Sequence, residues 1–135
     1  MHTSFNDFAG HGYHGVSVLR SNGVSNGIVT AGGDSRLLGD RRGQPWMVGI
    51  RDPRNEGEVA ISVPLEDEAI STSGDYERYF VEGDTRYHHM IQPSTGEPAG
   101  GVHSATVFGP DAVFTDALST SVFVMGVAQG LRLIA

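Results

Sequence analysis

Val113-Phe114-Thr115-Asp116-Ala117-Leu118-Ser119-Thr120-Ser121-Val122-Phe123-Val124-Met125-Gly126 reads as a helix, and the rest of the chain is organised around it. Pro110-Asp111 stands just before it, and an Asp there caps the free N–H groups of the first turn. Leu118, Val122 and Met125 recur at three- and four-residue spacing, so they are expected to form the core-facing stripe. Asp116 and Thr120 are four apart and share a face. A carboxylate and a hydroxyl so placed offer two hard oxygen ligands to a cation such as Mg²⁺. The plainer alternative is an Asp that meets the helix dipole and a Thr that back-bonds to a carbonyl.

Outward from this helix, composition narrows the classes. The 135 residues suit one domain with one core. There is no Cys, so disulfides and thiolate metal sites are excluded, and no compartment is indicated. All nine basic residues are Arg, and the net charge is −7. That balance argues against a surface that tracks nucleic-acid phosphates. No apolar run reaches the roughly 18 residues of a spanning helix, so no membrane contact is expected from this chain itself. Met1-His2-Thr3-Ser4-Phe5 has no basic or apolar region of a signal peptide.

Along the chain, Asp7-Phe8-Ala9-Gly10-His11-Gly12-Tyr13-His14-Gly15 reads as a loop, because three Gly fall within six residues. His11 and His14 admit a metal reading, although His pairs in loops are ordinarily just solvated. Val16 to Arg20 suggests a short helix ended by Asn22-Gly23. Gly27 to Ala31 is a strand running into Gly32-Gly33-Asp34, which is either a bulge or tight turn, or a place where backbone N–H groups and a carboxylate meet a ligand. Further strands are expected over 45–51, 58–63, 69–73 and 102–108, with a hairpin from Tyr76 to Ile91 turning at Glu82-Gly83-Asp84. The fold class is therefore α+β: a mostly antiparallel sheet against one long C-terminal helix and a shorter N-terminal helix.

Five stretches then fit together in order. They are Ala31-Gly32-Gly33-Asp34, Pro45 to Pro53, Ser71-Thr72-Ser73-Gly74-Asp75-Tyr76-Glu77, Arg86 to Gly96, and Thr106-Val107 with Asp116-Ala117-Leu118-Ser119-Thr120. Over residues 24–130 the chain resembles the C-terminal half of the FAD:protein FMN transferase (ApbE) family. The resemblance implies Mg²⁺-dependent transfer of FMN from FAD to a Thr hydroxyl on a partner flavoprotein, with AMP released. It implies Asp116 and Thr120 as metal ligands and His89 as the catalytic residue, assisting deprotonation of the target Thr or orienting the flavin. It places FAD contacts at Asp7, Gly32, Gly33, Asp34, His89 and Met90.

The chain departs from the family pattern at Gln92, where an Asp is usual, and in the Gly-rich opening, which is shorter and has no Lys; His11 stands nearest that Lys. On this reading residues 1–135 are one partial domain whose N-terminal half is missing. The alternative function is a non-catalytic fragment, or a half-domain that needs a separate N-terminal half to bind FAD.

Overall fold

The computed structural model describes residues 7–134, with side chains from residue 14 onward. The stretch Met1 to Phe5 lies outside them, as do the side chains of Asp7 and His11. The element order is α1 (Asp7–Ser21), β1 (Gly27–Ala31), β2 (Asp34–Leu38), β3 (Trp46–Arg51), β4 (Val59–Leu65), β5 (Ala69–Gly74), β6 (Tyr79–Glu82), β7 (Thr85–His88), β8 (Ser104–Gly109), α2 (Ala112–Met125) and α3 (Val127–Ile134). Four strands form one antiparallel sheet in the order β1-β2-β5-β8, while β3-β4 and β6-β7 are separate two-stranded ribbons. The α+β expectation and the antiparallel pairing hold. No described helix is long and apolar enough to cross a membrane.

Strand β5 sets the layers. Side chains alternate across it, so Ile70 faces one side and Ser71 and Ser73 the other. On the Ile70 side, Leu37, Leu65 and Ile70 form a core closed by Trp46, Val48, Ile50 and Val63 of the β3-β4 ribbon. On the serine side lies α2, which also packs on β8, β2 and α1. A second core joins Met90, Ala99, Ala105 and Phe123.

The opening stretch departs from expectation. Residues 7–15 are not a loop; they form the first part of α1, which at 15 residues is as long as α2 with 14. Packing outweighs the cost of about 1 kcal/mol for each helical Gly. Val16 is buried, and α1 lies on β1, β2 and α2. A Cβ on Gly15 would stand 3.0 Å from Val29 Cγ1, so glycine permits this close approach. The end of α1 falls where expected. Gly23, at φ 81°, directs its N–H to the Arg20 carbonyl and that of Val24 to Leu19, a Schellman closure.

The C-terminal helix is two helices. Gly126 ends α2 with φ 79°, and α3 folds back so closely that a Cβ on Gly130 would meet Val122 Cγ1 at 2.7 Å. The cap is as expected: Asp111 Oδ1 accepts from the N–H groups of Val113 and Phe114 at 2.8 and 3.1 Å. The core stripe is not. Ala112, Thr115, Ser119 and Phe123 are buried, whereas Leu118 and Val122 are only half-buried and Met125 is 44 % exposed. Ser119 can be buried because its hydroxyl donates to the Asp116 carbonyl one turn back, and Thr115 because its hydroxyl lies within hydrogen-bond distance of both the Ala112 carbonyl and Ser71 Oγ.

Candidate functional site

The first sequence signal at the site is Gly32-Gly33. Ala31 pairs with Asp34, leaving two residues in the β1-β2 turn, both at positive φ (63° and 101°). That is the turn a two-residue hairpin favours, and glycine adopts it without a Cβ penalty. The turn also borders a cleft of about 770 Å³, so the turn and ligand-approach readings are compatible.

The cleft gathers most of the expected residues. Gly32, Gly33, Asp34, His89, Met90, Asp116 and Thr120 all line it. Asp7 cannot be placed, because its side chain lies outside the described residues. Asp116 lines the cleft together with the Gly32-Gly33-Asp34 turn, near enough to Asp34 for the two carboxylates to act on each other. Burial pushes the Asp34 carboxyl up to about 6; a hydrogen bond from Ser71 pulls the other way, and the charge of Asp116 adds to the rise. Burial also raises Asp116 above the usual carboxylate range. Two partly buried carboxylates that repel each other are relieved by a shared cation.

Among the described residues no three His, Cys, Asp or Glu cluster in a way that could hold a metal. A cation here would rest on few carboxylates, a hydroxyl and further oxygens. That donor set fits Mg²⁺, which commonly keeps waters and takes one or two protein carboxylates.

The two adjacent histidines separate. His89 lines the cleft, with Nδ1 3.2 Å from the Arg78 carbonyl. A carbonyl only accepts, so this contact places the proton on Nδ1 and leaves Nε2 with the lone pair in the neutral ring. His88 turns inward. Its ring meets Phe123 edge-on at 5.7 Å, and its buried Nδ1 has no hydrogen-bond partner among the described residues.

Other lining residues carried no assigned role in the sequence: Ser73, Tyr76, Arg51 and Arg78. Ser73 and Tyr76 lie inside a stretch already singled out, so the signal was present without a role. Burial, and secondarily the nearby Glu77, raises the Tyr76 hydroxyl above its ordinary value. Gln92 does not line the cleft; its carbonyl accepts from the N–H groups of Thr95 and Gly96 and closes the turn after β7. Its neutral side chain therefore leaves the charge balance of the cleft untouched.

Residues 14–135 match the model of the ApbE family. The FAD:protein FMN transferase of Rhodobacter capsulatus is 38 % identical over 117 residues, covering 87 % of this chain and 22 % of that protein. The crystal structure of the ApbE protein of Thermotoga maritima superposes with a TM-score of 0.74 at 41 % identity, covering 93 % of this chain and 43 % of that one. The apo flavinyl transferase ApbE of Pseudomonas stutzeri gives 0.76 at 32 % identity, covering 94 % and 40 %. The chain thus spans less than half the length of each. The match takes in the cleft-bearing sheet, both ribbons and the C-terminal helices, and the chain belongs to the ApbE family.

Proposed function

We propose that this chain carries the cation-binding and acceptor-activating part of a Mg²⁺-dependent FAD:protein FMN transferase. The observation that supports this most is the meeting of Asp116, Thr120 and His89 with the Gly32-Gly33-Asp34 turn in one cleft. On this reading Asp116 and Thr120 hold the cation. Mg²⁺ bound there would neutralise charge on the FAD pyrophosphate as phosphorus is attacked. Gly32 and Gly33 bring bare backbone to the flavin nucleotide, and Met90 supplies a buried apolar contact. Arg51 and Arg78 line the same cleft and suit anionic phosphate oxygens. His89 Nε2 takes the proton of the acceptor Thr on the partner flavoprotein. The Thr oxygen bonds to the FMN phosphorus, the bond to the AMP oxygen breaks, and AMP leaves.

A second reading is favoured by one further observation. Phe114, Phe80, Met47 and Val127 are each more than 60 % exposed. Apolar surface on this scale suits cover by other chain, and the relatives have much chain beyond the matched part. On this reading the region binds FAD weakly by itself and works with the remaining half of the relatives, in cis or in trans.

The experiment is flavinylation of a target domain bearing an acceptor Thr, read as covalent flavin fluorescence. It compares this chain alone, this chain fused to the upstream half of a relative, and Asp116→Ala in the fusion. Mg²⁺-dependent labelling is expected from the fusion, very little from the chain alone, and none from the variant. Robust labelling by the chain alone would remove the second reading. Undiminished labelling by Asp116→Ala would remove the first.

A further inference from the structure

Between β5 and α2 three hydroxyls and one carbonyl form a continuous chain. Ser73 Oγ lies 3.0 Å from Ser119 Oγ and 3.1 Å from Thr120 Oγ1. Ser119 Oγ donates to the Asp116 carbonyl at 3.0 Å. Each hydroxyl has one proton and two lone pairs, and the carbonyl can only accept. Three protons must therefore serve these three contacts. All three are filled in one arrangement alone: Ser119 donates to the Asp116 carbonyl, Ser73 donates to Ser119, and Thr120 donates to Ser73. Any reversal leaves two oxygens facing each other without a hydrogen between them. Water is a poor substitute, since Ser119 is 1 % exposed and Ser73 9 %.

The usual choice of a helical Thr is not the one taken here. Its hydroxyl would ordinarily donate to the carbonyl one turn back. For Thr120 that carbonyl belongs to Asp116, but the contact its hydroxyl makes here is with Ser73 Oγ at 3.1 Å, across to β5 rather than back along the helix.

We propose that Ser73 and Ser119 are positioning residues that turn the Thr120 proton away from the cleft and leave its oxygen facing the cleft as a pure acceptor. A hydroxyl so fixed is matched to a hard cation and mismatched to a phosphate or carbonyl oxygen. This rests on the reading of Asp116 and Thr120 as cation ligands, and it adds what orients one of them. Neither serine needs to touch the cation.

The direct test needs no cation. Neutron diffraction on deuterium-exchanged crystals of the full chain should place the Thr120 deuteron on the line to Ser73 Oγ. It should place that of Ser73 toward Ser119, and that of Ser119 toward the Asp116 carbonyl. A Thr120 deuteron directed at the Asp116 carbonyl or into the cleft overturns the proposal. The second test uses Mn²⁺ alone as a paramagnetic probe of affinity. Ser73→Ala and Ser119→Ala should each weaken Mn²⁺ about fivefold, the scale of one lost hydrogen bond, while Asp116→Ala should lose binding. Thr115→Val cuts the neighbouring Ser71–Thr115 contact of 3.0 Å without touching the Ser119–Ser73–Thr120 chain, and should lower stability while weakening Mn²⁺ less than either serine variant. If Asp116→Ala loses binding and both serine variants bind like wild type, the orientation proposal fails and the cation reading stands. If Asp116→Ala binds like wild type, the cation reading fails, and the neutron result decides the orientation by itself.

Discussion

The two walls of the cleft are held in different ways. One wall is α2 on β5, where Ser71 meets Thr115 and Ser73 meets Ser119 and Thr120 at 3.0–3.1 Å. Two of these contacts are buried and the third partly so, and together they tie the helix that carries Asp116 and Thr120 to β5. The other wall is the β3-β4 ribbon with residues 76–78. There Arg51 Nη1 meets Glu77 Oε1 at 3.3 Å, with both side chains about half exposed, and the Arg51 guanidinium lies 5.7 Å from the Tyr76 ring. Buried hydroxyl pairs hold position firmly, whereas exposed ion pairs compete with water and salt. The first wall therefore suits chemistry that needs fixed oxygens. The second suits contact with a ligand that enters and leaves.

The largest expected effect lies on the first wall. In a flavin-transferring fusion, Asp116→Ala should lower Mg²⁺-dependent transfer by about a thousandfold or more, the scale of losing charge stabilisation at phosphorus. The rate of covalent flavin appearance at several Mg²⁺ concentrations measures it. A loss recovered simply by raising Mg²⁺ would mean that Asp116 sets affinity alone.

His89→Ala should come next, with a fall of about a hundredfold, typical of a lost general base. His88→Ala tests the comparison from inside the core. It removes the ring that packs on Phe123 and should lower the melting temperature with transfer near wild type. Equal losses of transfer from both variants would end the argument for a distinct role of His89.

This pair of histidines also shows how far the sequence could be read. Strand alternation predicts that one of them faces in and one out, and only the family position says which. The shared face of Asp116 and Thr120 follows from their spacing, whereas a ligand role for them came only from the resemblance; Asp111 was legible as the cap. The hydroxyl stripe was not, because a search for apolar periodicity counts Thr115 and Ser119 as polar, and their burial depends on partners in β5. Helix α1 was hidden by its glycines, which Gly15 shows to be a packing feature against Val29. Strand β2 was hidden because Arg36, Leu37 and Leu38 are all buried, leaving no alternation to detect. Helix α3 was hidden by Gly130, which serves its close crossing with Val122.

A smaller effect concerns pH. Asp34 is raised to about 6 in the folded chain, so between about pH 4 and 6 the folded state binds more protons than the unfolded one. Stability is then highest at the acidic end of that window and falls as pH rises through it. After allowance for solvent on the cleft side, the loss should be about 1 kcal/mol. Asp34→Asn should flatten the profile and gain a similar amount at pH 7, measured by urea unfolding across pH. Mg²⁺ added to wild type at pH 7 should restore part of the loss. A profile that rises from pH 4 to 6, with no difference between wild type and Asp34→Asn, would show that the cleft around the Gly32-Gly33-Asp34 turn is less desolvated than its geometry indicates.

The smallest effect is expected on the second wall. A double-mutant cycle with Arg51→Ala and Glu77→Ala isolates their coupling from other contacts, including that of Arg51 with Tyr76. Because both side chains are about half exposed, the coupling in unfolding free energy should be only about 0.3 kcal/mol. It should fade further in about 1 M salt, where the screening length drops to about 3 Å. Parallel cycles on Ser71–Thr115 and Ser73–Ser119 should give about 1 kcal/mol each, insensitive to salt, because those oxygens are buried and neutral. A coupling above about 1 kcal/mol for Arg51–Glu77 that survives salt would place the ribbon on the same footing as the helix seam. The cleft would then have two fixed walls, and ligand entry would have to come from movement elsewhere.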